Sequence, residues 1–157
     1  MKPVRIGALI LALAMAFALA GCGGGDGGAE IDINGLGQQL VEAAEFGEPM
    51  NALDGDVALG LYAAPEGASV AAWAGTGATA EEVAVFDAGS AENAAALKAG
   101  LEQRNQSRIE LYAGYNPAEV PKLEDAVILT GGPYVVLIVA ADASAAKAIA
   151  ADALSRA

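Results

Sequence analysis

The stretch Tyr134–Val139, with the sequence YVVLIV, constrains the fold of this chain more than any other feature. It carries no charge and no alternation of polar and apolar residues, so a strand formed here needs cover on both faces. Two glycines and a proline precede it and separate it from a second apolar stretch at residues 126–130. This spacing predicts a β-hairpin whose second strand, residues 134–141, is a central strand of a sheet.

Two further strands are predicted at residues 70–74 and 82–86, joined by a connection rich in glycine and threonine. The clearest helix is predicted over residues 91–113, with Ser90 as its N-cap, and a shorter one over residues 56–62. The apolar stripe of the long helix comprises Ala94, Leu97, Leu101 and Tyr112. Together these patterns place a hairpin and a helix in sequence, followed by a second hairpin.

Helices are also predicted at both ends of this region. Asp32 is positioned as the N-cap of an N-terminal helix, and a last helix begins after Asp142 or Ser144 and turns Ile149 and Ala153 inward. The resulting order is ββαββα preceded by an N-terminal helix. It predicts the α+β class, with an antiparallel four-stranded sheet and helices packed on it. The order of the strands within the sheet does not follow from one sequence.

The first 21 residues have the composition of a secretory signal. Lys2 and Arg5 form a short positive region, and residues 6–20 are apolar without a charge, which is shorter than the roughly 20 residues of a spanning helix. The ending LAGC at Cys22 resembles the bacterial lipobox, in which the thiol receives a diacylglyceryl group and the leader is removed. The alternative is a buried structural cysteine that follows an apolar run.

On the lipobox interpretation the chain divides into three parts. Residues 1–21 are a lipoprotein signal peptide, residues 22–30 a glycine-rich tether, and residues 31–157 one α+β domain. Acyl chains such as diacylglycerol and palmitate on Cys22 would anchor the mature protein stably. We therefore expect it at the cell membrane, lipid-anchored on the extracytoplasmic face.

Charge and composition exclude several classes of function. The chain has 20 acidic residues against eight basic ones, and the leader contains Lys2 and Arg5, which raises the acidic excess of the remainder. Such a surface repels phosphate backbones, so no nucleic-acid partner is expected. With no histidine and a single cysteine, the sequence offers no thiolate cluster or imidazole ligand. No metal and no cofactor are expected.

Two long stretches carry a resemblance to a known family. The sequences AEEVAVFDAGSAENAAALKAGLEQR and YNPAEVPKLEDAVILTGGPYVVLIVAADA, within residues 53–154, resemble the bacterial lipoprotein family known as domain of unknown function 4358. The shared features are a strand of the form Glu, aliphatic, Ala, Val, a long helix with an arginine near its middle, and a Gly, Tyr, Val hairpin. The resemblance implies an exported, lipid-anchored small domain and brings no activity with it.

Arg104 and Arg108 are the candidate ligand-binding residues. They lie one turn apart, within the stripe that contains Leu97 and Leu101, which is an unusual position for two bases in so acidic a chain. One interpretation is a guanidinium pair that holds a carboxylate or phosphate ligand. The other is that both arginines reach past the sheet to neighbouring carboxylates of the protein.

Three other groups of residues admit a catalytic or binding interpretation. Asp54 and Asp56 begin a calcium-like loop, but the next positions lack side-chain oxygens, which favours helix capping. Glu81 with Glu82, like the pair at residues 124–125, supplies two carboxylates, but adjacent strand residues point to opposite faces, so neither pair is a catalytic dyad. The aromatic residues are Tyr62, Trp73, Tyr112 and Tyr115, which either line a cleft or fill the core.

Three functional hypotheses follow. The first is a non-catalytic binding or accessory module for a protein or cell-envelope partner. The second is a small carboxylate-dependent cell-envelope hydrolase. The third is an anionic-ligand binder that uses Arg104 and Arg108.

Overall fold

The computed structural model describes residues 29–157, which form five strands and five α-helices. The strands are β1 Asn51–Ala52, β2 Ser69–Ala74, β3 Glu82–Asp87, β4 Val127–Gly131 and β5 Tyr134–Val139. The helices are α1 Ile33–Ala43, α2 Gly55–Leu61, α3 Ala91–Tyr115, α4 Val120–Glu124 and α5 Ser144–Leu154, with a 3₁₀ turn at Pro117–Glu119 before α4.

The strands form an antiparallel sheet in the order β1-β2-β3-β5-β4, which confirms the predicted α+β class. The predicted number of four strands is wrong, because β1 adds a fifth. β1 pairs Asn51 with Ala74 and Ala52 with Trp73, and two residues are too few to leave an alternating pattern in the sequence. β5 lies between β3 and β4, as expected for a strand that is apolar on both faces.

Helices cover both faces of the sheet. Alternate residues of β3 and β5 enter two separate apolar cores, so that Val83 and Val85 face α1 and α5, whereas Ala84 and Phe86 face α2 and α3. The buried residues of α3 are Ala94, Leu97, Leu101 and Tyr112, which are the predicted stripe. Each face of the sheet is therefore buried against a different pair of helices.

Side chains cap the helices largely as predicted. Ser90 accepts a hydrogen bond from Asn93 N, and Asp32 accepts one from Asn34 N. The N-cap of α5 is neither of the two predicted residues but Ala143. Asp142 instead accepts the backbone N–H of Ser144 at 2.8 Å.

The buried face of α5 also differs from the prediction. Ala146, Ala150 and Leu154 are buried against the sheet. Ile149 and Ala153, which were expected to point inward, are only partly buried at its margin. The difference arises because the small alanines let the helix approach the sheet closely, which turns a different stripe toward it.

The first residues that the structure describes lie beside the C-terminal end of the chain. Ala29 N donates to Arg156 O at 2.7 Å, and Ile31 N donates to the hydroxyl of Tyr134 at 3.1 Å. The predicted signal peptide, Cys22 and most of the predicted tether lie outside the described residues. Among residues 29–157, none of the helices combines the length and apolar character that crossing a bilayer requires.

Candidate functional site

Charged side chains meet at the end of the sheet where β3 begins. Glu82 is the first residue of β3 and points to the face covered by α3, because it shares its parity with Ala84 and Phe86. Glu81 precedes the strand and points the other way. The two carboxylates therefore enter two different groups, which we call the arginine cluster (Glu82, Arg104, Arg108, Tyr62) and the lysine cluster (Lys122, Glu81, Glu119).

The arginine cluster is one carboxylate held between two guanidinium groups. Arg104 binds Glu82 in a bidentate manner, with Nη1 at 2.7 Å from Oε1 and Nη2 at 3.2 Å from Oε2. Arg108 Nη1 also donates to Oε1 of Glu82, and its Nη2 donates to Ala80 O at 3.0 Å. The Glu82 side chain is 4% exposed, against 22% for Arg104 and 17% for Arg108. The cluster carries one net positive charge.

Two tyrosines contact the guanidinium groups of the arginine cluster. The Tyr62 hydroxyl donates to Oε2 of Glu82 at 3.1 Å, and Cζ of Arg104 lies 4.7 Å above the centre of the Tyr62 ring. Burial, and then the negative charge of Glu82, raise the pKa of Tyr62 well above its ordinary value of 10.0. Arg108 lies 5.7 Å from the ring centre of Tyr112. Both guanidinium planes are thus fixed by an aromatic ring as well as by the carboxylate.

The lysine cluster has the opposite arrangement, with one cation between two carboxylates. Lys122 Nζ donates to Glu81 Oε1 at 2.8 Å and to Glu119 Oε1 at 3.0 Å. The backbone N–H of Gly47 donates to both oxygens of Glu81, at 2.8 and 2.9 Å. The side chain of Glu81 is fully buried. This cluster carries one net negative charge.

The pKa of Lys122 reflects these partners. Burial acts to lower it, but hydrogen bonds and charge from Glu81 and Glu119 outweigh burial, and the pKa is raised above its ordinary value of 10.5. Lys122 therefore stays charged throughout the physiological range. The two carboxylates of the lysine cluster are held together by this one ammonium group.

Ala80 connects the two clusters through its backbone. Its N–H donates to Glu119 Oε2 at 2.9 Å, and its C=O accepts from Arg108. Next to it, the hydroxyl of Tyr112 donates to Thr79 O at 2.7 Å. The loop that precedes β3 is therefore held by side chains from α3 and from the turn before α4, and this loop positions both glutamates.

A second contact holds the outer side of the same loop. Glu48 accepts hydrogen bonds from the hydroxyls of Thr79, at 2.5 Å, and Thr76, at 2.7 Å. These two hydrogen bonds lower the pKa of Glu48 below its ordinary value of 4.5. The loop between β2 and β3 is thereby fastened on both sides.

Arg104 lines a shallow groove between α2 and α3. The groove has a volume of about 370 Å³, and its lining is mainly apolar. Its floor includes Leu61, Ala96 and Gly100, and Arg104 lies among these lining residues. A Cβ placed on Gly100 would meet no atom within 4 Å, so this position opens onto the groove.

The structure brings the two predicted ligand-binding residues together but pairs both with Glu82. Binding of an external ligand by Arg104 and Arg108 stays a prediction. Glu81 and Glu82 point to opposite sides and into different ion clusters, as predicted from strand geometry. Within residues 29–157, no group of three or more acidic, cysteine or histidine side chains is arranged to hold a metal ion.

The structure also shows the positions of the other residues that the sequence suggested as candidates, namely the possible calcium loop and the aromatic residues. Asp54 caps α2 by accepting from Asp56 N and Val57 N, which confirms the capping interpretation. Tyr62 and Tyr112 are buried, and Trp73 packs over Gly37, where a Cβ would overlap its indole ring. Tyr115 does not fill the core, because it is 66% exposed.

The roles of Glu119 and Lys122 were not predicted from the sequence. Their spacing of three residues, with a proline between them, was a local signal of an ion pair on one helical turn. The approach of this pair to Glu81, 38 or more positions earlier in the chain, had no local signal. Contacts between charged residues of different helices and strands are determined by packing.

A family model described as a domain of unknown function (DUF4358) matches residues 61–140, which contain β2 to β5, α3, both arginines and the lysine cluster. No curated protein and no solved structure matches the chain.

Proposed function

This chain belongs to the DUF4358 family of domains of unknown function, and on that premise we propose that it is a lipid-anchored, non-catalytic module on the extracytoplasmic face of the cell membrane. Its role is to bind or assist a protein or cell-envelope partner. The anchor is an acylated Cys22, and the glycine-rich segment after it is the tether.

The membrane address is supported by the order of features in the leader. A positive region, an apolar stretch, small residues and Cys22 follow one another as bacterial lipoprotein processing requires. Seven residues from Cys22 to Gly28 reach at most about 25 Å, which is enough to separate a folded domain from the headgroups. This segment joins the domain at Ala29, which donates a hydrogen bond to Arg156 just after α5.

The observation that carries the non-catalytic role is the full engagement of Glu82. Both of its oxygens accept hydrogen bonds from guanidinium groups, and Tyr62 donates to it as well. A carboxylate in this state has no free oxygen with which to take a proton from a substrate or attack one. Glu81 is engaged in the same way by Lys122 and Gly47. No observation favours the hydrolase hypothesis.

The test of the anchor is metabolic labelling with a clickable fatty acid in a bacterial host that processes lipoproteins. The expected result is a labelled protein in the membrane fraction, with the label lost in Cys22→Ser. Cys22→Ala serves as a second control against effects of the serine hydroxyl. An unlabelled wild-type protein, or a label that persists in both variants, would contradict the proposed anchor.

The test of the accessory role is crosslinking in intact membranes followed by mass spectrometry of the captured proteins. A genuine partner is captured reproducibly with the wild-type protein and lost when its contact surface is changed. The Cys22→Ser variant separates capture by membrane proximity from capture by binding. Absence of any reproducible partner over several independent preparations would contradict this role.

The groove beside Arg104 favours a second candidate function, the binding of an amphiphile with an anionic head. The apolar lining suits a hydrocarbon chain, and the net positive charge of the arginine cluster suits a carboxylate at its end. The probe is dodecanoate, and its binding to the protein is measured by calorimetry. Gly100→Leu fills the groove and is expected to weaken binding at least about tenfold.

Gly114→Leu is the matched control for this measurement. It lies on the same helix, outside the groove, and a Cβ there also meets no atom within 4 Å. Equal binding of dodecanoate by the wild-type protein and both variants would contradict a site in the groove, as would no measurable binding by the wild-type protein.

A further inference from the structure

The two edges of the sheet differ in how they are protected. β1 consists of two residues and follows Pro49, so it offers little backbone to another strand. β4 has five residues with the sequence VILTG, without a charge, a proline or a bulge. Proteins usually guard a long edge strand with one of these features. The edge at β4 is therefore open to pairing with another strand.

The turn that joins β4 to β5 determines which backbone groups face outward. Gly132 and Pro133 form a two-residue loop, with Gly132 at a positive φ of 52°. The residues that flank such a loop exchange hydrogen bonds with each other, and the pattern alternates along the strand. The N–H and C=O groups of Ile128 and Thr130 consequently point away from β5. In the described part of the chain they have no backbone partner.

We propose that β4 pairs with β4 of a second copy of this chain, antiparallel about a two-fold axis at Leu129. In this register Ile128 lies opposite Thr130 of the other copy, and each such pair forms two main-chain hydrogen bonds. All four outward groups of each copy are then satisfied. Because the two residues are separated by one position, the edge is complementary to itself, which favours a second copy over an unrelated strand.

The side chains along the edge fit this arrangement. The two Leu129 side chains lie opposite each other on the face covered by α5, as in a non-hydrogen-bonded pair. A groove of about 270 Å³ borders Leu129 on this face, lined also by Thr130, Ala151 and Leu154. It receives the leucine of the other copy. No charged residue of β4 opposes the contact, although each copy is acidic overall.

The two-fold axis of such a pair is perpendicular to the sheet, so each face of the sheet continues across both copies. Ala29 donates a hydrogen bond to Arg156, just after α5, and lines a groove with residues of α1 and α5. The Ala29 residues of the two copies therefore lie on the same side of the dimer. This geometry allows both copies to be attached to one membrane, although the pairing of β4 does not depend on an anchor.

The test is disulfide crosslinking of the full chain in membranes through Leu129→Cys. In a non-hydrogen-bonded antiparallel pair, opposite cysteines lie close enough to form a disulfide. Mild oxidation is expected to convert this variant to a dimer on a non-reducing gel. The wild-type chain controls for Cys22, and Leu111→Cys, at a residue 64% exposed on α3, controls for random collision.

A second pair of variants tests the backbone hydrogen bonds. Thr130→Pro removes an outward N–H without changing the pairing with β5, whereas Thr130→Val keeps it. Combined with Leu129→Cys, Thr130→Pro is expected to reduce the rate of crosslinking about tenfold and Thr130→Val to leave it unchanged, with unfolding curves confirming that both fold. Crosslinking equal to that of Leu111→Cys, or adducts with another protein in place of the dimer, would overturn the proposal.

Discussion

Glu82 of the arginine cluster and Glu81 of the lysine cluster are neighbouring residues at the start of β3. The two clusters have opposite arrangements of charge. Glu82 is an anion between two cations, and Lys122 is a cation between two anions. Their outer partners differ in burial. The arginines are 22% and 17% exposed, whereas the glutamates are 0% and 8% exposed.

This difference indicates that the central ion neutralises partly exposed cations in one cluster and buried anions in the other. A guanidinium group is weakly hydrated and reaches solvent through a long side chain, so two arginines tolerate the loss of their counter-ion better than two buried carboxylates do. A complete buried cluster adds little net stability, but removing one member leaves unpaired charge. We therefore expect the lysine cluster to be the more sensitive of the two.

Lys122→Met is expected to have the largest effect. It leaves Glu81 and Glu119 close together without a cation, and the free energy of unfolding at pH 7 should fall by about 4 kcal/mol. Protonation of one carboxylate relieves the repulsion, so the deficit should shrink as the pH falls from 7 to 5. Urea unfolding at both pH values measures this. A deficit that is small or unchanged with pH would contradict the asymmetry between the clusters.

Glu82→Gln is expected to cost about 3 kcal/mol, because Arg104 and Arg108 lose their shared counter-ion. Arginine does not deprotonate in this range, so the deficit should not shrink between pH 7 and 5. The same unfolding measurements apply. The exposed Glu102→Gln, in a pair with Lys98 on the surface of α3, is the matched control and should change stability by less than about 0.5 kcal/mol.

Arg104→Lys sharpens the comparison within the arginine cluster. Lysine keeps the charge but loses the bidentate contact with Glu82 and the stacking on Tyr62, and the expected loss of unfolding free energy is about 1.5 kcal/mol. Arg156→Lys, in an exposed pair with Asp152, is the control and should have almost no effect. Equal effects at both positions would show that the geometry at Glu82 does not matter.

The smallest effect concerns the pH dependence that Tyr62 contributes. Its pKa is raised in the folded state, so the stability from this group is full below about pH 10 and is lost as the pH rises above the unfolded value, by about 0.4 kcal/mol at pH 10 itself. Tyr62→Phe should remove this part of the alkaline slope. The exposed Tyr115→Phe should retain it, and thermal unfolding between pH 8 and 10.5 measures the difference.

Much of the fold could be predicted because its signals are local. The stripe of α3 and the cap at Ser90 depend on residues within a few positions of each other, and both are confirmed. The position of Arg104 and Arg108 on the sheet-facing side of α3 followed from the same periodicity. β1 was missed because two residues carry no period, and the N-cap of α5 was misplaced because Asp142 bonds to the backbone from one position earlier.

The pairing of the two arginines with Glu82 could not be predicted from such local signals. Glu82 and Arg104 are 22 positions apart, and their contact depends on which face of β3 meets α3. The lysine cluster is similar, since Glu81 and Lys122 are separated by 41 positions. The sequence supplied the charges in suitable numbers but not their pairing.

The sequence by itself determined the longer helices and strands, the α+β class, the two-sided burial of Tyr134–Val139 and the excess of negative charge. Each of these depends on composition or on spacing within one element. Only the tertiary structure decided that the two glutamates enter clusters of opposite charge, and that β4 forms an open edge. Ion pairing and strand order are properties of contacts between distant segments, and the free energy that selects them comes from burial of the whole sheet between its helices.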